Sequence, residues 1–437
     1  MSTSAVQAVP ERWKTNVALF LTGQTASLFG SMIVQYAVMW YITLETKSGF
    51  AIALYAIAAF GPQGIVSIFG GTLADRMNRR ILVMTADSII AVTTLALALL
   101  MLFGVTDLWI ILVAVGVRSV GAGFQTPAVQ AMIPQIAPQD QLLRLNGMFG
   151  TIQSAMTLLA PAAAGAIYSV AGLVPTFFID VATAIIGVSL LALVRVPTLA
   201  RVTEGGTSYR ADLVEGFHYI RSNAVVRWLL TVFAIIFLLT VAPSFITPLL
   251  IARTFGDDPW MLTVLEIAFG TGMMVGGVLV ATVLAKQSRV ALILGSTFGF
   301  AALTIALGLS PNLWIFYGFM FLVGLLVPLF SAPLMTLIQE TVEPDKHGRV
   351  FSYIGIVMAL AAPIGASVFG PLADVISVQS VLVLAGILAA IVMVIAVTVP
   401  SGRAAMRAAR TPAAEPEALA EAVGLPAASP RDDSDRG

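Results

Sequence analysis

Twelve runs of about 20 or more mostly apolar residues constrain this chain more than any other feature: 17–44, 50–72, 81–103, 109–133, 148–170, 174–194, 226–250, 260–284, 289–309, 313–338, 351–371 and 378–400. A bilayer core takes about 20 residues of helix to cross. No water reaches it, so every backbone N–H and C=O must be satisfied within a helix or a closed barrel. The alternating pattern of barrel strands is absent. We therefore expect an all-α integral membrane protein with twelve transmembrane helices. The first run exceeds the roughly 7–15 apolar residues of a cleaved signal and reads as a retained helix. Composition agrees, with 58% hydrophobic and 11% charged residues, where soluble domains carry about 25% charged.

The basic residues sort by side. With loops numbered alternately, 20 of the 23 Lys and Arg fall on one side, Lys47 and Arg253 on the other, and Arg118 within a run. The positive-inside rule puts the crowded side, and both termini, in the cytoplasm of a cell (inner) membrane. The longest internal polar segment, 195–225, is a cytoplasmic linker between six-helix bundles at 17–194 and 226–400. A cytoplasmic N-terminus (1–16) and a tail (401–437) rich in Ala, Pro and charge flank them; the tail is expected to be disordered. Within the linker, ADLVEGFHYIRS has helical spacing. It either lies on the membrane face with Phe217 and Ile220 toward lipid or is a solvated connector. Arg403, Arg407 and Arg410 share a helical face beside the membrane and would meet anionic headgroups.

Several chemistries are excluded. The chain has no Cys, hence no disulfide, zinc-thiolate site or thiol nucleophile. Its two His, His218 and His347, fall in polar loops, and its net charge is zero. We expect no enzyme activity, no metal or cofactor and no nucleic-acid partner.

The two halves repeat. GGTL at 70–73 recurs as GGVL at 276–279, FQTP at 124–127 as FSAP at 330–333, and LAP at 159–161 as AAP at 361–363. The order is kept, and both halves start on the same side. That is a parallel duplication about an axis along the membrane normal, an arrangement used by transporters whose site lies between the repeats.

The charged knot between the second and third runs, Gly71, Leu73, Ala74, Asp75, Arg76, Arg79 and Arg80, resembles the signature Gly-x-Leu-Ala-Asp-Arg-x-Gly-Arg-Arg of the major facilitator superfamily. Asn78 stands where that signature has Gly; Asn tolerates the left-handed conformation, so a tight turn could survive there. The resemblance covers about residues 12–400. Within the superfamily, RWKTNVALFLTGQTASLFGS, WYITLETKSG, GFQTPAVQAMIPQIAPQDQLLRLNG and QETVEPDKHGRVFS resemble the macrolide-efflux branch of drug/proton antiporters, to which siderophore exporters are also similar. It implies a major facilitator fold and a conformational latch of Gly71, Asp75, Arg76, Arg79 and Arg80 that holds the outward-open state. Asp87, two turns into helix 3, would join that knot. The competing reading of the arginines is a plain topological anchor. Gly147, Pro161 and Gly165 match the antiporter signature of helix 5, although Ala160 and Ala164 stand where glycines are usual and Met156 also departs.

Candidate site residues follow from spacing and cost. Gln24, Ser27, Ser31 and Gln35 step by 3, 4 and 4 along helix 1 and so share a face. Thr240 and Ser244 form a weaker stripe in helix 7, and Gln125 lies in the motif of helix 4. These would line a substrate cavity, or else hydrogen-bond between helices. Arg118 is an intramembrane charge, which calls for a cavity or a partner. With Glu266 and Asp180 it forms the proton-coupling set. The expected function is proton-coupled efflux of amphiphilic, drug-like compounds by a monomer embedded in lipid. A siderophore, lipid or metabolite exporter, or an uptake permease, is the alternative.

Overall fold

The computed structural model describes residues 12–196, 209–343, 346–400, 402–403 and 406–407, and at 68–76, 209–213, 240–244 and 359 the backbone alone. The latch residues Gly71, Asp75 and Arg76, and the stripe residues Thr240 and Ser244, therefore fall outside the described side chains, and Arg410 outside the described residues. Thirteen α-helices run α1 Trp13–Thr46, α2 Gly49–Arg76, α3 Arg79–Leu102, α4 Leu108–Ile136, α5 Leu142–Ala171, α6 Val174–Leu193, α7 Tyr209–Ser222, α8 Ala224–Thr254, α9 Pro259–Ala281, α10 Arg289–Gly308, α11 Leu313–Thr341, α12 His347–Val375 and α13 Val378–Thr398. Among the described residues eleven are long and apolar enough to cross a membrane, and the bent pair of α7 and α8, counted as one span, makes twelve. Trp109, Trp260 and Trp314 stand exposed in the first turns of α4, α9 and α11, where amphipathic rings settle at a membrane interface.

The duplication is visible in the packing. In α1–α6 the tight pairs are α2 with α4, α3 with α4, α3 with α6 and α1 with α6; in α8–α13 they are α9 with α11, α10 with α11, α10 with α13 and α8 with α13. Each is the counterpart of the other under a shift of six spans. The bundles meet through α2 against α12 and α5 against α9, again a symmetric couple.

The two ends of the molecule differ. One end carries Arg79, Arg80, Arg195, Arg221 and Arg349; the other carries Lys47 and Arg253. A single apolar core runs through both bundles at the arginine-poor end, from Ile33, Trp40, Ile111 and Phe177 to Ile246, Leu262, Phe316 and Phe369, and continues down the C-terminal bundle to Val226, Ile338 and Val350. At the arginine-rich end a separate core of Phe20, Val83, Met132, Ile133 and Leu191 belongs to the N-terminal bundle alone. The bundles are thus joined at the arginine-poor end.

A polar clasp seals that end. Asp374, at the end of α12, accepts from the backbone N–H of Gly49 at 2.7 Å and of Phe50 at 2.8 Å, and from the Ser48 hydroxyl at 3.0 Å. The first N–H groups of a helix lack partners within it and carry partial positive charge, so the carboxylate caps α2 from the opposite bundle. Arg253 Nη2 donates to Asp374 at 2.5 Å, and Arg253 Nε donates to the carbonyl of Lys47 at 2.9 Å. Lys47, in the left-handed conformation with φ of 45°, turns its ammonium to Asp257 at 2.9 Å. That hydrogen bond and charge hold the Asp257 carboxyl below the usual carboxylate range. Below the clasp the backbones touch: a Cβ on Gly49 would lie 2.0 Å from the carbonyl oxygen of Gly370.

At the arginine-rich end, α7 turns from α8 by 107° and is fastened through Glu215, which accepts from Lys346 Nζ at 2.7 Å and Arg349 Nη1 at 2.5 Å. Among its described side chains the exposed apolar ones are Val214 and Phe217. Ile220 instead packs onto the core beside the bend into α8, which corrects the face read from spacing. Asn78 is corrected too. Its φ is −65°, so no left-handed turn is needed, and its side chain caps α3 by accepting from Arg80 N at 3.1 Å. Arg79 Nη1 donates to the Ala131 carbonyl at 2.8 Å, and Arg80 Nη2 to that of Ala192; both acceptors lie in the arginines' own bundle.

A Gly370→Val protein should be unable to bring α12 onto α2. Spin labels at positions 106 and 311, on arginine-poor loops of the two bundles, should move apart by double electron–electron resonance. An unchanged distance distribution would show that the glycine contact does not govern closure.

Candidate functional site

The N-terminal bundle gathers its polar side chains into two rungs across α1, α3, α4 and α6. The spacing is simple: Asp87 and Thr94 on α3, and Arg118 and Gln125 on α4, are each seven residues apart, two helical turns on one face. Because the helices are antiparallel, Asp87 meets Gln125 and Thr94 meets Arg118.

The deeper rung is an ion pair. Arg118 Nη1 lies 2.5 Å from Asp180 Oδ2, with side-chain exposures of 12% and 1%. Thr94 Oγ1 donates to the same oxygen at 2.9 Å, and the guanidinium also contacts Thr94. Ser31 donates to Asp180 Oδ1 at 3.2 Å. Gly30 lets α1 come this close, since a Cβ there would lie 2.0 Å from Thr183 Oγ1 and 2.9 Å from the Asp180 Cα. A buried charge is tolerable only when paired and hydrogen-bonded, and here both conditions hold.

The second rung has no cation among the described residues. Asp87, 2% exposed, accepts at Oδ1 from Ser27 Oγ at 3.2 Å and Gln125 Nε2 at 2.6 Å. Its Oδ2 has no hydrogen-bond partner among the described residues, and neither does Nε2 of buried Gln24. Among the described residues Asp87 thus bonds to α1 and α4, and the knot residues Asp75 and Arg76, with which the sequence reading grouped it, lie outside the described side chains.

A cavity of about 200 Å³ opens beside the rungs. Ser31, Gln35, Arg118, Ser119, Gln125 and Thr126 supply its polar wall, and Leu28, Met32, Val38, Ile90 and Val115 its apolar one. Of the expected cavity residues, Ser31, Gln35 and Gln125 line it, whereas Gln24 and Ser27 are buried behind. Drug-sized ligands occupy about 300–1,000 Å³, so a larger molecule needs the space between the bundles as well.

Sequence reasoning missed Thr94, Ser119 and Gln63. Ser119 has a clear structural cause. Pro62 interrupts α2, as an interior proline must, and Ser119 enters the opened turn. It accepts from Gln63 N at 2.9 Å and donates to the Ala59 carbonyl at 2.7 Å. The seven-residue spacings were the available signal for Thr94.

Glu266 stands apart on α9. No hydrogen bond or ion pair reaches it among the described residues, but it is close enough to Tyr36 on α1 to act on it electrostatically. In α5, Pro161 is buried and Gly165 packs against α9, where a Cβ would lie 1.7 Å from Thr263 Oγ1; a Cβ on Gly147 would meet nothing within 4 Å.

The sequence profile of the Transmembrane secretion effector family matches residues 9–425. Macrolide efflux protein A of Streptococcus pyogenes is 32% identical over 380 residues, covering 86% of this chain and 94% of that protein. Macrolide efflux protein A of Enterococcus faecalis is 32% identical over 314 residues, covering 71% and 97%. Among solved structures, a bacterial homolog of the human lysosomal transporter Spinster, inward-facing and unoccupied, superposes with a TM-score of 0.66 at 14% identity, over 92% of this chain and 100% of that one.

Breaking the deep ion pair from one side should leave an unanswered buried charge. Asp180→Ala should lower unfolding stability in detergent by about 3–5 kcal/mol, and the double variant Arg118→Met/Asp180→Leu should recover most of that loss. Equal stability of the single variant and the unmutated protein would mean that water, not the protein, solvates Arg118.

Proposed function

Because the chain belongs to the Transmembrane secretion effector family of the major facilitator superfamily, we propose that it exports amphiphilic, macrolide-like compounds from the cell in exchange for protons. The observation that carries this reading is the mixed wall of the cavity beside two buried acids. Ser31, Gln35 and Gln125 offer hydrogen bonds, and the aliphatic side chains offer area to a ring or chain. The relatives named for macrolide efflux support the substrate class.

The arginine-rich end is cytoplasmic in this reading, by the positive-inside rule. The described conformation is then closed toward the outside and parted toward the cytoplasm. In it Arg79 and Arg80 donate to carbonyls of their own bundle. Rocking about the α2–α12 and α5–α9 seams would break the outer clasp and draw the cytoplasmic ends together. The protein acts as a monomer, since each chain holds both repeats.

Two predictions test this reading. An impermeant maleimide on intact cells should label Thr106→Cys and leave Met77→Cys unlabelled; the reverse pattern contradicts the orientation. In drug-sensitive cells, expression should lower the accumulated macrolide, and a protonophore should restore it. Glu266→Gln should abolish that active efflux while preserving downhill exchange if Glu266 carries a coupled proton. If it only binds cationic substrates, neutral macrolides should leave at the unmutated rate.

A further inference from the structure

We propose that Asp87, held between Ser27 and Gln125, is a proton-binding site of the N-terminal bundle, and that Gln125 links it to the substrate cavity. The inference rests on the proton-exchange reading and deepens it. It moves the coupling chemistry to a residue grouped by sequence with the arginine knot.

Three observations converge. First, the acids of the bundle are treated unequally. Asp180 has a guanidinium and two hydroxyls. Asp87 has two neutral donors, no ion-pair partner among the described residues and one oxygen left bare. An uncompensated carboxylate in a dry site is costly, and a proton bound at Oδ2 removes the charge. Second, the described surroundings supply no alternative counter-charge. Asp87 faces Ser27 on α1, Gln125 on α4 and Asp180 on α6, whose like charge reaches it. The bundle's intramembrane cation, Arg118 on α4, is bound to Asp180. Buried Gln24, one turn from Ser27 on α1, has an amide nitrogen with no hydrogen-bond partner among the described residues.

Third, the site touches the cavity. Gln125 donates to Asp87 Oδ1 and also lines the cavity wall. A carboxylate accepts at both oxygens, whereas a protonated acid donates at one. Taking up a proton therefore weakens the claim of Asp87 on the Gln125 amide and frees that amide to turn. A substrate donor bound to the Gln125 carbonyl would hold the amide against the ionised acid and so oppose protonation, and uptake of a proton would release the amide and the substrate with it, the mutual exclusion that exchange requires. The outer clasp does not compete as the pH-sensitive element, because Lys47 keeps Asp257 ionised below the ordinary carboxylate range.

The test reads protonation directly, without needing transport. Purified protein in lipid is titrated while the carboxylic C=O stretch is followed by infrared difference spectroscopy, for the unmutated chain, Asp87→Asn and Glu266→Gln. We expect a band that titrates in the unmutated protein, persists in Glu266→Gln and is lost in Asp87→Asn. Its titration should shift in Gln125→Leu and on adding erythromycin. In exchange assays, Asp87→Asn should retain downhill macrolide exchange, which shows that it is folded, but lose its pH dependence. A band that survives in Asp87→Asn overturns the assignment. A band displaced by sodium at constant pH also overturns it, in favour of a metal cation. If the Asp87 band behaves as expected but no macrolide moves, the substrate reading fails and the site stands.

Discussion

A guanidinium in the middle of a membrane helix has to be answered by the protein, and Asp180 answers Arg118. Much of the N-terminal bundle follows from that demand. Asp180 must cross from α6 to α4, so α1 must let it pass. Gly30 does so by having no side chain where a Cβ would strike Thr183. The carboxylate's remaining valences draw in Ser31 and Thr94, and four helices are pinned by one pair. Replacing such a pair with apolar residues is often harmless to stability. Its use here is better read as positioning, since it fixes the face on which Asp87 and Gln125 meet.

The two bundles share a packing plan but not a chemistry. In the C-terminal bundle, Ser296, Thr297 and Thr271 return their hydroxyls to backbone carbonyls of their own helices, and Phe233 stacks with Phe237 and Phe330. Glu266 is the acid deep within that bundle. Polar exchange between helices is concentrated in α1, α3, α4 and α6. Among the described residues the intramembrane ion pair and the hydrogen-bonded acids thus lie in one half. The other offers an apolar counterface and the clasp residues Arg253 and Asp374.

The architecture was legible because long apolar runs leave a membrane chain few choices, and because a duplication preserves its order of Gly and Pro landmarks. The stripe of Gln24, Ser27 and Ser31 was legible from helical spacing, since neighbours on one face need no knowledge of the fold. Which acid each serine meets was not, because Asp87 and Asp180 come from helices distant in the chain. The clasp was hidden for the same reason, although Lys47 and Arg253, the two basic residues of the sparse side, are 206 residues apart, the offset of two of the internal repeats. Asn78 shows a local failure. Its tolerance of a left-handed turn was a sound reason for its presence, but its hydrogen bond to Arg80 N makes it a helix cap instead.

The central claim is that an inward proton gradient drives an amphiphile the other way. Purified protein would be reconstituted in liposomes with its arginine-rich end facing outward and the lumen made acidic. Labelled erythromycin would be added outside, with a pH-sensitive dye reporting the lumen. The account predicts macrolide accumulation within the vesicles together with faster loss of luminal acidity, both abolished when the gradient is collapsed. Accumulation that survives collapse of the gradient, or proton loss that does not respond to macrolide, would contradict it.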